Sequence, residues 1–78
     1  EAFAASSIAV NRELGLKDSQ VNIYGGAIAL GHAIGSSGAK ILTTLGYALK
    51  REQKRYGIAS LCIGGGLGLA ILLKNPDF

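Results

Sequence analysis

The chain has one histidine and one cysteine, and both lie in glycine-rich surroundings. His32 closes the run Gly25-Gly26-Ala27-Ile28-Ala29-Leu30-Gly31-His32, and Cys62 opens the run Cys62-Ile63-Gly64-Gly65-Gly66. A histidine beside a cysteine can take the thiol proton, and the thiolate then serves as nucleophile or general base. Backbone N–H groups after Cys62 have no side chains at Gly64 to Gly66 to obstruct a ligand, so they can form an oxyanion pocket. A lone cysteine in an apolar strand is usually a small buried hydrophobe, and a lone histidine in a loop usually has no special role. Either segment alone is weak evidence; the two together are the strongest functional signal in the chain.

These residues must be positioned by the elements around them. Apolar Ala4, Ala5, Ile8, Ala9 and Leu14 predict a first helix over residues 1–14, with Glu1 suiting its N-terminus and Gly15 its end. Residues 16–20 read as a polar connection, and Val21–Ile23 as a short strand or an extended lead into the glycine loop. Residues 25–36 follow neither periodicity and are apolar, which predicts a buried loop held by specific internal hydrogen bonds. Ser36 or Ser37 then caps a second helix running to about Tyr56 and ended by Gly57. Its stripe is Ile41, Leu42, Leu45, Ala48 and Leu49. Residues 58–63 and 67–73 read as strands joined by a tight turn at Gly64–Gly66. Both strands are nearly all apolar, as expected where other layers cover both faces, and this chain has too few helices to cover them. His32 thus lies just before a helix start and Cys62 near a strand end, where ligands settle in open α/β sheets.

Composition narrows the classes. Of the 78 residues 49% are hydrophobic, twelve are glycine and one is proline, which argues against disorder. A lone core of this size is marginal, and small self-sufficient proteins usually carry disulfides or a metal. One cysteine and one histidine supply no disulfide and no metal site. The net charge of +3 is mild, and Lys50, Arg51, Lys54 and Arg55 gather toward the end of the predicted second helix, where cations complement the dipole. Nucleic-acid binding would want a broader basic face with interleaved aromatics. The uncharged run 58–73 is shorter than the about 20 residues of a membrane-spanning helix, and its clustered glycines would weaken any helix. The P-loop lysine pattern is absent. No leader-like basic start precedes an apolar core, and the unpaired cysteine suggests a reducing compartment, most simply the cytoplasm. A chain beginning without methionine, inside an element already under way, is expected to be the tail of a larger enzyme.

Asn22-Ile23-Tyr24-Gly25-Gly26-Ala27-Ile28-Ala29-Leu30-Gly31-His32, followed by Gly35 and Ser37-Gly38-Ala39-Lys40, closely resembles the histidine signature of thiolases. Cys62-Ile63-Gly64-Gly65-Gly66-Leu67-Gly68-Leu69-Ala70 resembles their C-terminal cysteine signature. Glu1-Ala2-Phe3-Ala4 is similar to the end of the family's Asn-Glu-Ala-Phe segment. The resemblance covers nearly the whole chain, with three motifs in order. It implies an α/β fold: residues 1–78 would close the thiolase C-terminal half-domain, with two helices packed on two or three strands of a five-stranded mixed sheet.

The resemblance also implies chemistry. Thiolases join or split 3-oxoacyl thioesters of coenzyme A by a Claisen condensation. A nucleophilic cysteine in the N-terminal half holds the acyl group, and a second cysteine, matching Cys62, shuttles the α-proton of the incoming acetyl-CoA. The histidine matching His32 stabilises the enolate oxygen and helps activate the nucleophile. The N–H of Gly64 would contribute to an oxyanion hole, and Ala2 and Phe3 would lie near the pantetheine and thioester end of the substrate. The implied partners are acetyl-CoA, acetoacetyl-CoA and coenzyme A as substrates, the rest of the thiolase chain, and a homodimer or homotetramer; no cofactor, metal, nucleic acid or membrane is implied. Within the family, the expected member makes or cleaves acetoacetyl-CoA. Its rivals are a catalytically silent thiolase-like lipid-binding or scaffold protein and a small membrane peptide. The family's nucleophilic cysteine has no counterpart here, so residues 1–78 alone are expected to fold poorly and to show no thiolysis. Ala33 stands where the family usually has proline and Tyr24 where it commonly has asparagine; Ala33 is expected to loosen the placement of His32.

Overall fold

The first helix, α1, spans Ala4–Leu14 and starts later than its sequence pattern predicts, because Phe3 is extended at φ −143° and ψ 150°. Its start is fixed by the Phe3 carbonyl, which accepts from Ser7 N–H at 3.2 Å and Ser6 Oγ at 2.8 Å. Gly15 ends it as expected, in the left-handed region at φ 64°, with its N–H on the Arg12 carbonyl at 3.3 Å and Leu16 N–H on that of Asn11 at 2.9 Å. The polar connection contains a 3-10 turn at Asp18–Gln20.

Val21–Ile23 form no strand. Asn22 instead sits at φ 48°, a region that asparagine tolerates, and its carbonyl accepts from Gly25 N–H at 2.8 Å. The glycine loop is not featureless either. Ala27–Leu30 make a one-turn helix, α2, closed by Gly31 at φ 86° with its N–H on the Ala27 carbonyl at 2.7 Å. Nor is the loop buried: residues 28–36 are all exposed in this chain.

The long helix, α3, spans Ser37–Arg51, and every residue of its predicted stripe, Ile41, Leu42, Leu45, Ala48 and Leu49, is buried or half-buried. Ser36 occupies the N-cap position without a side-chain cap hydrogen bond. The helix ends earlier than Tyr56. Gln53, at φ 52°, turns the chain, and Lys54 N–H reaches back to the Leu49 carbonyl at 3.0 Å. Lys50 and Arg51 therefore lie in the last turn, while Lys54 and Arg55 lie beyond it, with the Arg55 guanidinium 5.6 Å from the Tyr56 ring centroid.

Strand β1, Tyr56–Gly64, and strand β2, Leu67–Lys74, pair antiparallel from Tyr56↔Lys74 to Cys62↔Gly68. Half-buried Gly57, Ala59 and Leu61 alternate along β1 on the face that meets α3. Gly57 permits the approach: a Cβ there would lie 2.6 Å from Leu45 Cδ1 and 3.0 Å from Leu49 Cδ2. Asn75, just past β2, locks the corner. Its Nδ2 donates to the carbonyls of Leu49 and Lys54, both at 3.2 Å, and its Oδ1 accepts from Asp77 N–H at 3.0 Å.

The computed structural model describes all 78 residues and has an α/β composition of three helices and a two-stranded antiparallel sheet. Two compact units, Glu1–Ala33 and Ile34–Phe78, contain these elements. Two strands are present, as the pattern predicts, and within this chain they pair as a simple antiparallel hairpin. Leu49 and Asn75 are the only residues classed as buried, and Ile58 and Leu72 on the opposite face of the hairpin are 68% and 62% exposed. No helix is long and apolar enough to cross a membrane.

Candidate active site

In the unit Glu1–Ala33, the candidate residues sit on two segments joined by one carboxylate. Ala2 and Phe3 lead into α1, and Phe3 is 75% exposed. His32 is exposed and follows directly on Gly31, which closes α2. Between these segments Glu1 Oε2 accepts the N–H of Ile28 at 3.0 Å, and its Oε1 lies 3.5 Å from Asn22 Nδ2. The sequence pattern places Glu1 at the start of the first helix; the structure places its carboxylate at the start of α2.

Gly26 explains how the carboxylate fits. Its φ of −113° demands no glycine. A Cβ at Gly26 would collide with the Glu1 carboxylate and would lie 2.7 Å from Asn22 Nδ2. Here glycine is needed for space, as the glycine-rich pattern anticipates, although the close neighbour is protein rather than ligand.

In the unit Ile34–Phe78, Cys62 is exposed and takes part in no disulfide. Strand alternation puts it with Ile58 and Ser60 on the hairpin face turned away from α3. Its cross-strand partner is Gly68, so no side chain on β2 stands directly opposite the thiol. The register shifts between Cys62 and Gly64, leaving Ile63 as the extra residue of a bulge. Bulges of this kind re-aim side chains and are common beside active sites.

The turn that follows is built on three successive left-handed glycines, with φ of 93° at Gly64, 63° at Gly65 and 74° at Gly66. Added Cβ atoms at these positions would meet nothing within 4 Å. Conformation, not crowding, requires glycine here. The turn therefore presents open backbone beginning two residues past Cys62, and an oxyanion pocket needs such unobstructed N–H groups.

Each unit thus gathers part of the predicted set. One joins the Ala2–Phe3 segment to the segment leading to His32, and the other sets Cys62 beside Gly64. No group of three His, Cys, Asp or Glu side chains lies together to hold a metal ion. Glu1 is the residue that periodicity misassigned. The available signal was the pair Gly25-Gly26, which marks a close approach without saying to what.

Comparison with known proteins adds to this geometry. The family model described as "Thiolase, C-terminal domain" matches residues 1–75. An acetyl-CoA acetyltransferase of Paracoccus denitrificans is 55% identical over 76 residues, covering 97% of this chain and 19% of that protein. Acetyl-CoA acetyltransferases of Shinella zoogloeoides and Escherichia coli (strain K12) are 56% and 54% identical over 75 residues, covering 96% of this chain and 19% of each relative. The chain spans about a fifth of the length of these curated relatives.

Proposed function

Since this chain belongs to the thiolase C-terminal domain family, we propose that it is the closing part of the C-terminal half of an acetyl-CoA acetyltransferase. The complete enzyme cleaves acetoacetyl-CoA with coenzyme A into two acetyl-CoA, or runs the Claisen condensation in reverse. Residues 1–78 form one incomplete domain in this reading, and β1 and β2 belong to the five-stranded mixed sheet of the whole. The exposed hairpin face carrying Ile58 and Leu72 fits that assignment, because such apolar strands are normally covered by a further layer.

Condensation begins with an acetyl group held as a thioester on a nucleophilic cysteine upstream of this chain. Cys62, as thiolate, takes an α-proton from the methyl group of acetyl-CoA. His32 donates a hydrogen bond to the developing enolate oxygen, which is worth a few kcal/mol where that charge forms. The enolate carbon attacks the acyl carbonyl, a C–C bond forms, and the C–S bond to the nucleophile breaks. The N–H of Gly64 stabilises the oxyanion of that step, while Ala2 and Phe3 line the pantetheine and thioester end of the substrate. His32 also helps to activate the nucleophile for the next acylation. A homodimer or homotetramer acting in the cytoplasm completes the reading.

One observation carries most of this: Cys62 is exposed on a bulged strand, two residues before the first of three left-handed glycines, within a chain matched along residues 1–75 by the thiolase family model. The test is thiolysis of acetoacetyl-CoA by the complete enzyme, with and without His32→Ala. Turnover that falls by about 10²–10³-fold in the variant is the expected result. Absence of turnover in the unmodified enzyme would instead favour a catalytically silent thiolase-like lipid-binding or scaffold protein.

A further inference from the structure

A one-turn helix does not stand by itself. Helix nucleation fixes several dihedrals for each hydrogen bond gained, and short isolated helices are unstable in water. Helix α2 has four residues, and Ala29, Leu30 and Gly31 donate within it, to Gly26 at 3.1 and 2.9 Å and to Ala27 at 2.7 Å. The Ile28 amide lies in the first turn, where no intrahelical acceptor exists. It is given to Glu1 Oε2 at 3.0 Å.

We infer that Glu1 is a positioning residue: its carboxylate holds α2 against the Ala2–Phe3 segment and so sets where His32 stands. The distance from α2 to His32 is one residue, Gly31, so an error in the helix passes directly to the imidazole. Gly26 and Asn22 complete the clip, the first by leaving room for the carboxylate and the second by approaching its other oxygen. Backbone-to-carboxylate bonds are charge-assisted and directional, which suits a contact that must fix an angle.

This inference rests on the proposed acyl-transfer reading for its activity readout, but not for its structural one. The experiment compares Glu1→Ala, Glu1→Gln, Gly26→Ala and the double variant Glu1→Ala/Gly26→Ala in the complete enzyme. Two readouts need no turnover: amide hydrogen exchange at Ile28 and the rate at which diethyl pyrocarbonate modifies His32. Two need it: kcat and KM for acetoacetyl-CoA thiolysis.

Loss of one hydrogen bond to a charged group predicts exchange at Ile28 about tenfold faster in Glu1→Ala, with kcat lowered by about the same factor. KM should stay within about twofold and Tm within about 2 °C, because the perturbation is local. Glutamine keeps an acceptor oxygen, so Glu1→Gln should recover to within about threefold of the unmodified enzyme. Gly26→Ala should resemble Glu1→Ala, and the double variant should be no worse than either, the non-additivity of residues in one contact. Unchanged Ile28 exchange and His32 modification in Glu1→Ala would overturn the inference. So would equal defects in Glu1→Ala and Glu1→Gln, or a kcat loss matched by a collapse in Tm. If the unmodified enzyme shows no thiolysis, the functional reading fails, and exchange and modification still decide the role of Glu1.

Discussion

Asn75 offers the sharpest test of how the hairpin is fastened to α3. It is 5% exposed, and its side chain serves three backbone groups: the Leu49 and Lys54 carbonyls and the Asp77 amide. The Leu49 carbonyl keeps the Lys54 N–H when Asn75 is truncated, but the Lys54 carbonyl and the Asp77 amide each lose a hydrogen bond. These two hydrogen bonds are part-buried, and at a net worth of about 0.5–1.5 kcal/mol each their loss costs about 1–3 kcal/mol. Asn75→Ala should therefore destabilise this corner by about that amount, which is a ~5- to ~150-fold loss of protection in native-state hydrogen exchange. The reporters are the amides of Lys54 and Asn75, bonded to the Leu49 and Arg55 carbonyls at 3.0 and 2.8 Å. Asn75→Asp is nearly isosteric yet aims an acceptor at two acceptors, so it should exceed the alanine variant at neutral pH. A change below about twofold in Asn75→Ala, or an aspartate variant milder than alanine, would refute the reasoning.

Four further substitutions test the packing, the backbone angles and the His32 segment. Gly57→Ala forces a Cβ against Leu45 and Leu49 and should lower stability by about 1–3 kcal/mol, read as a drop in Tm. Gly65→Ala, at φ 63°, should cost about 1–2 kcal/mol, whereas Gly46→Ala in open space on α3 should gain up to about 1 kcal/mol; denaturant midpoints of the pair give opposite signs. Ala33→Pro stiffens the segment after His32 and should raise the thiolysis rate of the complete enzyme by about 2- to 5-fold; an unchanged or lower rate counts against the expected looseness at Ala33.

Sequence pattern reached some of these features and not others, for identifiable reasons. The stripe Ile41, Leu42, Leu45, Ala48, Leu49 is long enough for its period to show, and it is the face that α3 buries. Three adjacent glycines announce the β1–β2 turn because few other conformations need them. The end of α3 was hidden, since Gln53 takes the left-handed role usually marked by glycine. Helix α2 is a single turn, too short for any periodicity to register. Val21 and Ile23 have strand-like side chains, but Asn22 between them takes φ 48° and turns the chain instead.

The candidate site divides in the same way. His32, Cys62 and Gly64 stand out as candidates by residue type and glycine context, and their roles are what the family resemblance implies. The bulge at Ile63 depends on cross-strand register, which one strand's sequence does not encode. The Glu1–Ile28 bond links residues 27 positions apart, and an acidic residue near a helix start reads locally as a dipole partner. Its true acceptor role is tertiary.

The central claim is that Cys62 handles the α-proton of acetyl-CoA. It is tested most directly by incubating the complete enzyme with acetyl-CoA in deuterium oxide and following deuterium entry into the methyl group by mass spectrometry. Exchange should be rapid in the unmodified enzyme and about 10²–10⁴-fold slower in Cys62→Ser, while acetylation of the upstream nucleophile persists. Exchange by Cys62→Ser within about threefold of the unmodified rate would contradict the account, because a positioned base contributes far more than that.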